Sequence, residues 1–130
     1  MGKNEDMKEA RRLWVEALRS GEYEQGRKVL CMKNEFCCLG VACDLFVKSR
    51  PNVIRVKVDD DGITTYGHSR FYMPKSVQEW LGLNSDTGKF FPGDAGTVYL
   101  SNLNDGGITF AEIADIIESE PEGLFITEPA

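Results

Sequence analysis

The sequence has 130 residues, 42% of them hydrophobic and 28% charged, which are ordinary values for a globular protein. A chain of this length can bury a core of its own, so we expect a single domain over residues 1–130 without disulfide or metal staples. No segment reaches the run of about 18 apolar residues that a membrane span requires, and the polar first residues contain no apolar signal segment. We therefore expect a cytoplasmic protein with reduced cysteines and no membrane partner.

The net charge of −6 argues against stable binding to nucleic acid, because such binding depends on clustered Lys and Arg. The charge is unevenly distributed: residues 1–57 hold 12 basic and 8 acidic side chains, whereas residues 58–130 hold 3 basic and 13 acidic ones. Either the two halves are solvated faces of one domain or face each other in it, or the first half presents a basic surface to an anionic ligand.

The first predicted helix begins near Asn4 or Asp6, either of which can cap it, and ends near Ser20. Its apolar residues recur every three or four positions, which is typical of a helix with one buried face. Gly21 follows the last of them and suits the left-handed conformation that ends many helices.

A connector over residues 22–27 leads to a short predicted hairpin. Residues 27–32 form its first strand, and Lys33 and Asn34 turn the chain back toward residues 35–36.

The densest apolar run covers residues 36–46 and contains three of the four cysteines. Its apolar positions share one face of a helix, which we predict from about residue 37 to residue 48, ending before Pro51. Gly40 lies inside this helix, where glycine costs about 1 kcal/mol relative to alanine. We therefore expect the first helix or a strand to cross closely at Gly40.

A second hairpin is predicted from residues 53–58 and 63–66, with a turn over residues 59–62. Pro74 then suits the first position of a short helix that Gly82 closes.

Residues 84–97 form a loop rich in Gly, Asp and Ser, and a brief strand over residues 98–100 follows. The sequence of residues 109–112 is a capping box, which predicts a helix from there to about residue 119. Residues 120–130 form a C-terminal tail that docks on its own domain or on a partner. The whole pattern predicts an α+β domain of about four helices with one or two small antiparallel sheets.

The cysteines allow three interpretations: packed core thiols, metal ligands or a reactive thiol. Core packing is favoured, since free cysteine behaves as a small buried hydrophobe. The spacing of Cys31, Cys37, Cys38 and Cys43 lacks the paired knuckles of common zinc sites, so we predict no metal and no cofactor. A cysteine-dependent enzyme remains an alternative, with Cys37 or Cys38 activated at a helix N-terminus and His68, the single histidine, as its base.

Cations beside aromatic rings provide a candidate site for a small anionic ligand. Such pairs can stack a base and hold its phosphate, and free amides at helix starts can add to them. The candidate ligand-binding residues are Arg70, Phe71, Tyr72, Lys89, Phe90, Phe91 and Thr109.

Four stretches of the chain have distinctive sequences: WVEALRSGEYEQGRKVL (14–30), FCCLGVACDLF (36–46), MPKSVQEWLGL (73–83) and LNDGGITFAEIADIIE (103–118). Together they span most of the chain, and they resemble a group of uncharacterised small bacteriophage and prophage proteins with an FCCLGVxCDL motif. The resemblance implies a viral origin, hence the cytoplasm of an infected host cell, and it implies no catalytic residue.

The leading hypothesis is a non-enzymatic phage accessory protein that acts by binding. It would sequester a small anionic, nucleotide-type signal molecule in counter-defence against the host. The alternative is an acidic protein that inhibits a basic host factor. A homodimer would serve either role.

Overall fold

The computed structural model describes residues 3–93 and 96–126. Within these residues the chain forms five helices and seven short strands. In chain order they are α1 (Lys3–Ser20), β1 (Glu24–Gln25), β2 (Cys31–Met32), β3 (Glu35–Phe36), α2 (Cys38–Ser49), β4 (Val56–Val58), β5 (Thr64–Tyr66), α3 (Lys75–Leu81), β6 (Lys89–Phe90), β7 (Val98–Tyr99), α4 (Leu100–Asp105) and α5 (Phe110–Glu118). The predicted α+β class is confirmed.

The strands form three small sheets. β3 lies between β1 and β2 and runs parallel to β1 and antiparallel to β2. The β4–β5 and β6–β7 pairs are antiparallel hairpin-like ladders. A single antiparallel bridge between Met32 and Ile63 joins β2 to the start of β5. The small antiparallel sheets are therefore as predicted. The parallel β1–β3 pair, the short strand β6 and the short helix α4 were not predicted from the sequence.

Both predicted hairpins form, but their first strands are shorter than predicted: β2 covers Cys31–Met32 instead of residues 27–32, and β4 covers Val56–Val58 instead of residues 53–58. The turns form as predicted. Lys33 and Asn34 take positive φ angles of 52° and 66°, which suits a two-residue turn between β2 and β3. Gly62 takes a φ of 85° in the turn between β4 and β5.

The helix ends agree with the sequence at most positions. Gly21 and Gly82 are left-handed after α1 and α3, and Thr109 forms the predicted capping box with Glu112 at the start of α5. The prediction that Asn4 or Asp6 caps α1 is wrong, because α1 already begins at Lys3. None of the described helices is both long and apolar enough to span a membrane.

Helix α2 lies at the centre of the hydrophobic core. Five of its residues, from Cys38 to Cys43 without Gly40, are fully shielded from solvent, and α1, α3 and α4 pack around it. The indole nitrogen of Trp14, itself fully buried in α1, donates a hydrogen bond to the Cys38 carbonyl at 2.9 Å. This bond satisfies the indole N–H while the ring fills the α1–α2 interface.

A buried amide ties the ends of several elements together. Asn104 of α4 is fully buried; its side-chain oxygen accepts from the Cys38 N–H at 3.1 Å and from the Gln25 amide at 2.9 Å. Its amide nitrogen donates to the Gly26 carbonyl at 2.8 Å. Gln25 also accepts from the Phe110 N–H at 3.1 Å. One pair of side chains thus satisfies backbone groups at the ends of β1, α2 and α5.

Part of the charge asymmetry is neutralised inside the fold. Arg19 of α1 pairs with Asp115 and Glu118 of α5 at 2.7 and 3.0 Å. The Arg19 guanidinium lowers the pKa of Glu118, chiefly by its hydrogen bond. Arg11 pairs with Glu120 at 3.5 Å. The basic and acidic halves therefore meet along the α1–α5 contact.

The described part of the C-terminal tail packs on its own chain. Leu124 is fully buried, Phe125 pairs with Leu83 in an antiparallel bridge, and the Arg11 guanidinium lies 3.9 Å from the Phe125 ring centroid. Residues 127–130 lie outside the described residues.

The close approach expected at Gly40 is present, and the crossing segment is the backbone just before β2. A Cβ atom at Gly40 would lie 1.8 Å from the Leu30 carbonyl oxygen and 2.6 Å from its carbon. Contacts this short with backbone atoms are not relieved by a rotamer change, so this position requires glycine.

Gly40→Ala is expected to lower the free energy of unfolding by about 3 kcal/mol or more, because the methyl group forces Leu30 away from α2. Urea denaturation followed by tryptophan fluorescence measures the loss. The matched control is Gly21→Ala. A Cβ atom at Gly21 meets nothing within 4 Å, so the only strain comes from its φ of 79°. This substitution is expected to lower the free energy of unfolding by about 1 kcal/mol. Equal losses in the two variants would contradict the steric explanation.

Candidate ligand-binding site

The outer face of the β4–β5 hairpin presents a group of cations. Arg55 and Lys57 share this face because successive residues of a strand point to opposite sides. Lys57 pairs directly with Thr65 on β5, and the Gly67 N–H donates to the Arg55 carbonyl at 2.7 Å. The opposite face holds Thr64 and Tyr66, which are 7% and 3% exposed. Only the β5 half of that face is buried, and Arg55 and Lys57 lie on the opposite, solvent-exposed face.

Arg70 joins the same face from the other side of β5. Tyr66 pairs with Ser69 across a two-residue turn, so Arg70 runs beside Thr65. Its guanidinium lies 4.0 Å from the Asp59 carboxylate, at the far end of the hairpin face. Among the described residues, no ion pair within 4.0 Å neutralises Arg55 or Lys57. Arg70 is thus partly balanced, whereas the other two cations are not.

Arg55 and Lys57 border a basic cleft of about 740 Å³, whereas Arg70 lies outside its lining. Aliphatic side chains and a hydroxyl complete its wall, a mixture that can hold the polar and apolar parts of one ligand. The lining residues are Val53, Ile54, Arg55, Lys57, Thr65, Gly67 and His68.

An aromatic cleft of about 560 Å³ lies beside α3. Its wall includes Phe46 and Trp80, whose rings meet edge-to-face at 5.5 Å. The Arg50 guanidinium lies 5.7 Å from the Trp80 ring centroid and 5.8 Å from that of Phe46. Ser76 also borders this cleft, and its hydroxyl oxygen is shielded from solvent without a hydrogen-bond partner among the described residues. An aromatic surface with a guanidinium beside it can accept a planar heterocycle.

The two clefts meet at Val53, which borders both of them. Val53 is 56% exposed, and it is the lining residue that the two clefts share. A ligand with a heterocycle and phosphate groups has a similar division into an apolar ring and an anionic end. The two neighbouring clefts are therefore treated together as one candidate site with an aromatic part and a cationic part.

The candidate residues predicted from the sequence fall into two groups. Arg70 lies on the cationic face, and Phe71 and Tyr72 follow it with 52% and 55% exposure and an edge contact of 6.4 Å between their rings. None of the seven candidate residues lines either cleft, and the remaining four also lie on other elements. They are Lys89, Phe90, Phe91 and Thr109.

Local structure reduces what two of these remaining residues offer. Phe90 of β6 is a core residue at 4% exposure, so the accessible ring beside Lys89 is that of Phe91, at 39%. At Thr109, the backbone N–H already donates to the Glu112 carboxylate at 3.1 Å. The start of α5 therefore holds an internal anion.

Sequence reasoning missed Arg55, Lys57 and Trp80 as ligand-binding candidates. A signal for the first two exists, because the alternation Arg55-Val56-Lys57-Val58 places both cations on one face of a strand. No local pattern shows that Trp80 comes near this hairpin, since Val53 and the end of α2 bring the two regions together.

One protein-family model matches residues 6–121, and its description is "Domain of unknown function (DUF8296)". The chain belongs to this family. Neither a search of curated proteins nor a search of solved structures finds a match. Membership in DUF8296 agrees with the resemblance to an uncharacterised group and assigns no activity, so the function has to be argued from the site.

The four thiols are all free and buried in this DUF8296 chain. Cys37 caps α2, where its sulfur accepts from the Gly40 N–H at 3.4 Å. Burial nevertheless raises the pKa of Cys37 to about 11 and the pKa values of Cys38 and Cys43 well above their usual range. Desolvation thus raises the thiol pKa values by more than the helix N-terminus can lower them.

His68 is exposed on the turn after β5, and no hydrogen bond links it to a cysteine among the described residues. The described residues also contain no group of three or more His, Cys, Asp or Glu side chains placed to hold a metal ion.

The burial of the thiols predicts that native protein does not react with iodoacetamide at pH 6, because thiolate and access are both lacking. Mass spectrometry should find no adduct on the native chain and four adducts after denaturation. Glu22→Cys, which adds a thiol at an exposed position, is the control and should gain one adduct in the native state. Selective labelling of Cys37 or Cys38 would instead support the thiol-enzyme alternative.

Proposed function

We propose that this chain is a phage accessory protein that acts by binding, and that it sequesters a small nucleotide-type signal in counter-defence within the infected cell. The observation that supports the proposal most is the junction of an aromatic cleft with a cationic cleft at Val53. Together the clefts match the two chemical parts of a nucleotide.

In the proposed complex the heterocycle lies against Trp80, with Arg50 able to stack on its other face or contact its edge. The phosphates lie over the hairpin and contact Arg55 and Lys57. These two cations lack an ion-pair partner within 4.0 Å among the described residues, so a phosphate gains their charge without displacing a carboxylate. Arg70, held by Asp59 at 4.0 Å, provides a third contact at the edge of the site.

The viral setting is supported by the resemblance of four stretches to phage and prophage proteins. Binding without catalysis is supported by the four buried thiols, whose desolvation works against a nucleophile. The alternative, an acidic inhibitor of a host factor, has less support because Asp115, Glu118 and Glu120 already pair with arginines of α1.

The first test of the proposal is native mass spectrometry of the purified protein beside a denatured sample. A ligand of a few hundred daltons that is lost on denaturation is the expected result for a retained nucleotide. Calorimetric titration with ATP and with cyclic dinucleotides then covers a ligand that is lost during purification. Failure of every phosphorylated probe to bind would overturn the proposal.

Removing the unneutralised cations should weaken nucleotide binding. Arg55→Ala with Lys57→Ala is expected to lower the affinity at least tenfold and to flatten its dependence on salt, because two phosphate contacts are lost. The matched control is Lys8→Ala with Arg27→Ala, which removes the same two residue types from exposed positions that border neither cleft. If the control lowers the affinity as much, the effect reflects net charge and the hairpin is not the site.

The aromatic half of the site has its own spectroscopic test. Trp14 is fully buried and Trp80 is partly exposed, so a heterocycle stacked on Trp80 should quench part of the tryptophan emission. Trp80→Phe should abolish the quenching while calorimetry still detects binding, since phenylalanine retains a stacking face. Quenching that survives in Trp80→Phe would contradict the placement of the ring.

A further inference from the structure

The strand β4 has a free edge whose hydrogen-bonding groups are ordered but unused. The Asp59 N–H donates to the Ile63 carbonyl at 3.0 Å, and the Gly67 N–H donates to the Arg55 carbonyl at 2.7 Å. Because the bonding direction alternates along an antiparallel strand, residues 55, 57 and 59 face β5. The main-chain groups of Val56 and Val58 therefore point away from β5, and no described strand pairs with them.

The side chains at this edge are apolar and uncovered. Val56 and Val58 are 40% and 66% exposed, although they lie on the same hairpin face as the buried Thr64 and Tyr66. An exposed edge with two valines and open main-chain groups is a surface that another strand can extend.

We propose that a second copy of this chain covers the edge, pairing antiparallel about a twofold axis at Lys57. In this register Val56 lies opposite the partner's Val58, and both valines exchange main-chain hydrogen bonds, which makes four bonds in all. Arg55 lies opposite the partner's Asp59, so each copy contributes one cation and one carboxylate to the interface.

The pairing also creates a site that one copy lacks. Lys57 and the partner's Lys57 lie directly opposite, at the position where the two strands come closest. Two ammonium groups there repel each other, and a three-residue strand buries far less than the roughly 1,200 Å² of a stable interface. Association is therefore weak without an anion. A phosphate between the two lysines removes the repulsion, so ligand binding and dimerisation strengthen each other.

This inference rests on the proposed function for the identity of the anion, and its chemistry is that of a polyphosphate. The test is sedimentation velocity of the full chain with and without sodium tripolyphosphate, which contains the anionic part of the ligand alone. Tripolyphosphate is expected to tighten dimerisation at least tenfold. A chain that stays monomeric while calorimetry shows tripolyphosphate bound would overturn the inference and leave the proposed function intact. Equal dimerisation with and without tripolyphosphate would overturn the coupling, and the proposed function would still be decided by its own titrations with nucleotides.

Two variants separate edge pairing from other contacts. Val58→Pro removes the outward N–H and leaves the hydrogen bonds to β5, since proline is tolerated on an edge strand. It should stay monomeric while still binding tripolyphosphate, and Val58→Ile, which retains the donor, should dimerise like the parent chain. Equal dimerisation of both variants would exclude this edge.

Mixing the parent chain with a variant of opposite charge at Lys57 tests the register. This test does not depend on whether β4 tolerates a proline. Lys57→Glu should dimerise weakly by itself, because two carboxylates then face each other. Mixed with the parent chain, it should form mainly heterodimers, in which lysine faces glutamate. If the parent homodimer predominates in the mixture, Lys57 does not face its own copy and the proposed register is wrong.

Discussion

The buried amide of Asn104 is the constraint on which the rest of the structure depends. It satisfies the Cys38 N–H at the start of α2 and the Gly26 carbonyl after β1, and it fixes Gln25, which in turn accepts from the start of α5. Loss of this side chain would leave several backbone groups unpaired in a dry interior, where each costs about 1–3 kcal/mol. Elements that are distant in sequence thus share one polar centre, and their relative positions follow from its geometry.

The candidate site is linked to this centre through the backbone at Leu30. The Leu30 backbone packs directly against Gly40. The Cys37 N–H donates to the Leu30 carbonyl at 3.2 Å, and the Leu30 N–H donates to the Arg70 carbonyl at 2.7 Å. The Met32–Ile63 bridge then fixes β5 beside β2. The cationic face of the hairpin is therefore attached to the core by main-chain bonds, which gives a small exposed hairpin a defined orientation.

Sequence patterns predict the parts of this fold that are determined locally. The α2 helix, the two hairpin turns and the capping box of α5 follow from periodicity, from Asn and Gly at turns and from Thr109 with Glu112. The parallel β1–β3 pair is held by long-range partners and spans two residues on each strand, too few for an alternation to show. The same limit applies to the site. The sequence shows Arg70 next to Phe71 and Tyr72, whereas only the tertiary structure places Val53 in the linings of both the Trp80 cleft and the Arg55 cleft.

The distribution of charge shows why net charge is a poor guide to the ligand. The chain is acidic overall, and two arginines of α1 in its basic half are already paired: Arg12 with Glu9 and Glu16, and Arg19 with Asp115 and Glu118. What an incoming anion meets is set by the cations that lack a carboxylate partner, and on the hairpin, counting only the part of the chain that the structure describes, these are Arg55 and Lys57. An acidic protein can therefore bind an anion at a small surface, while its remaining negative charge repels the extended phosphate backbone of nucleic acid.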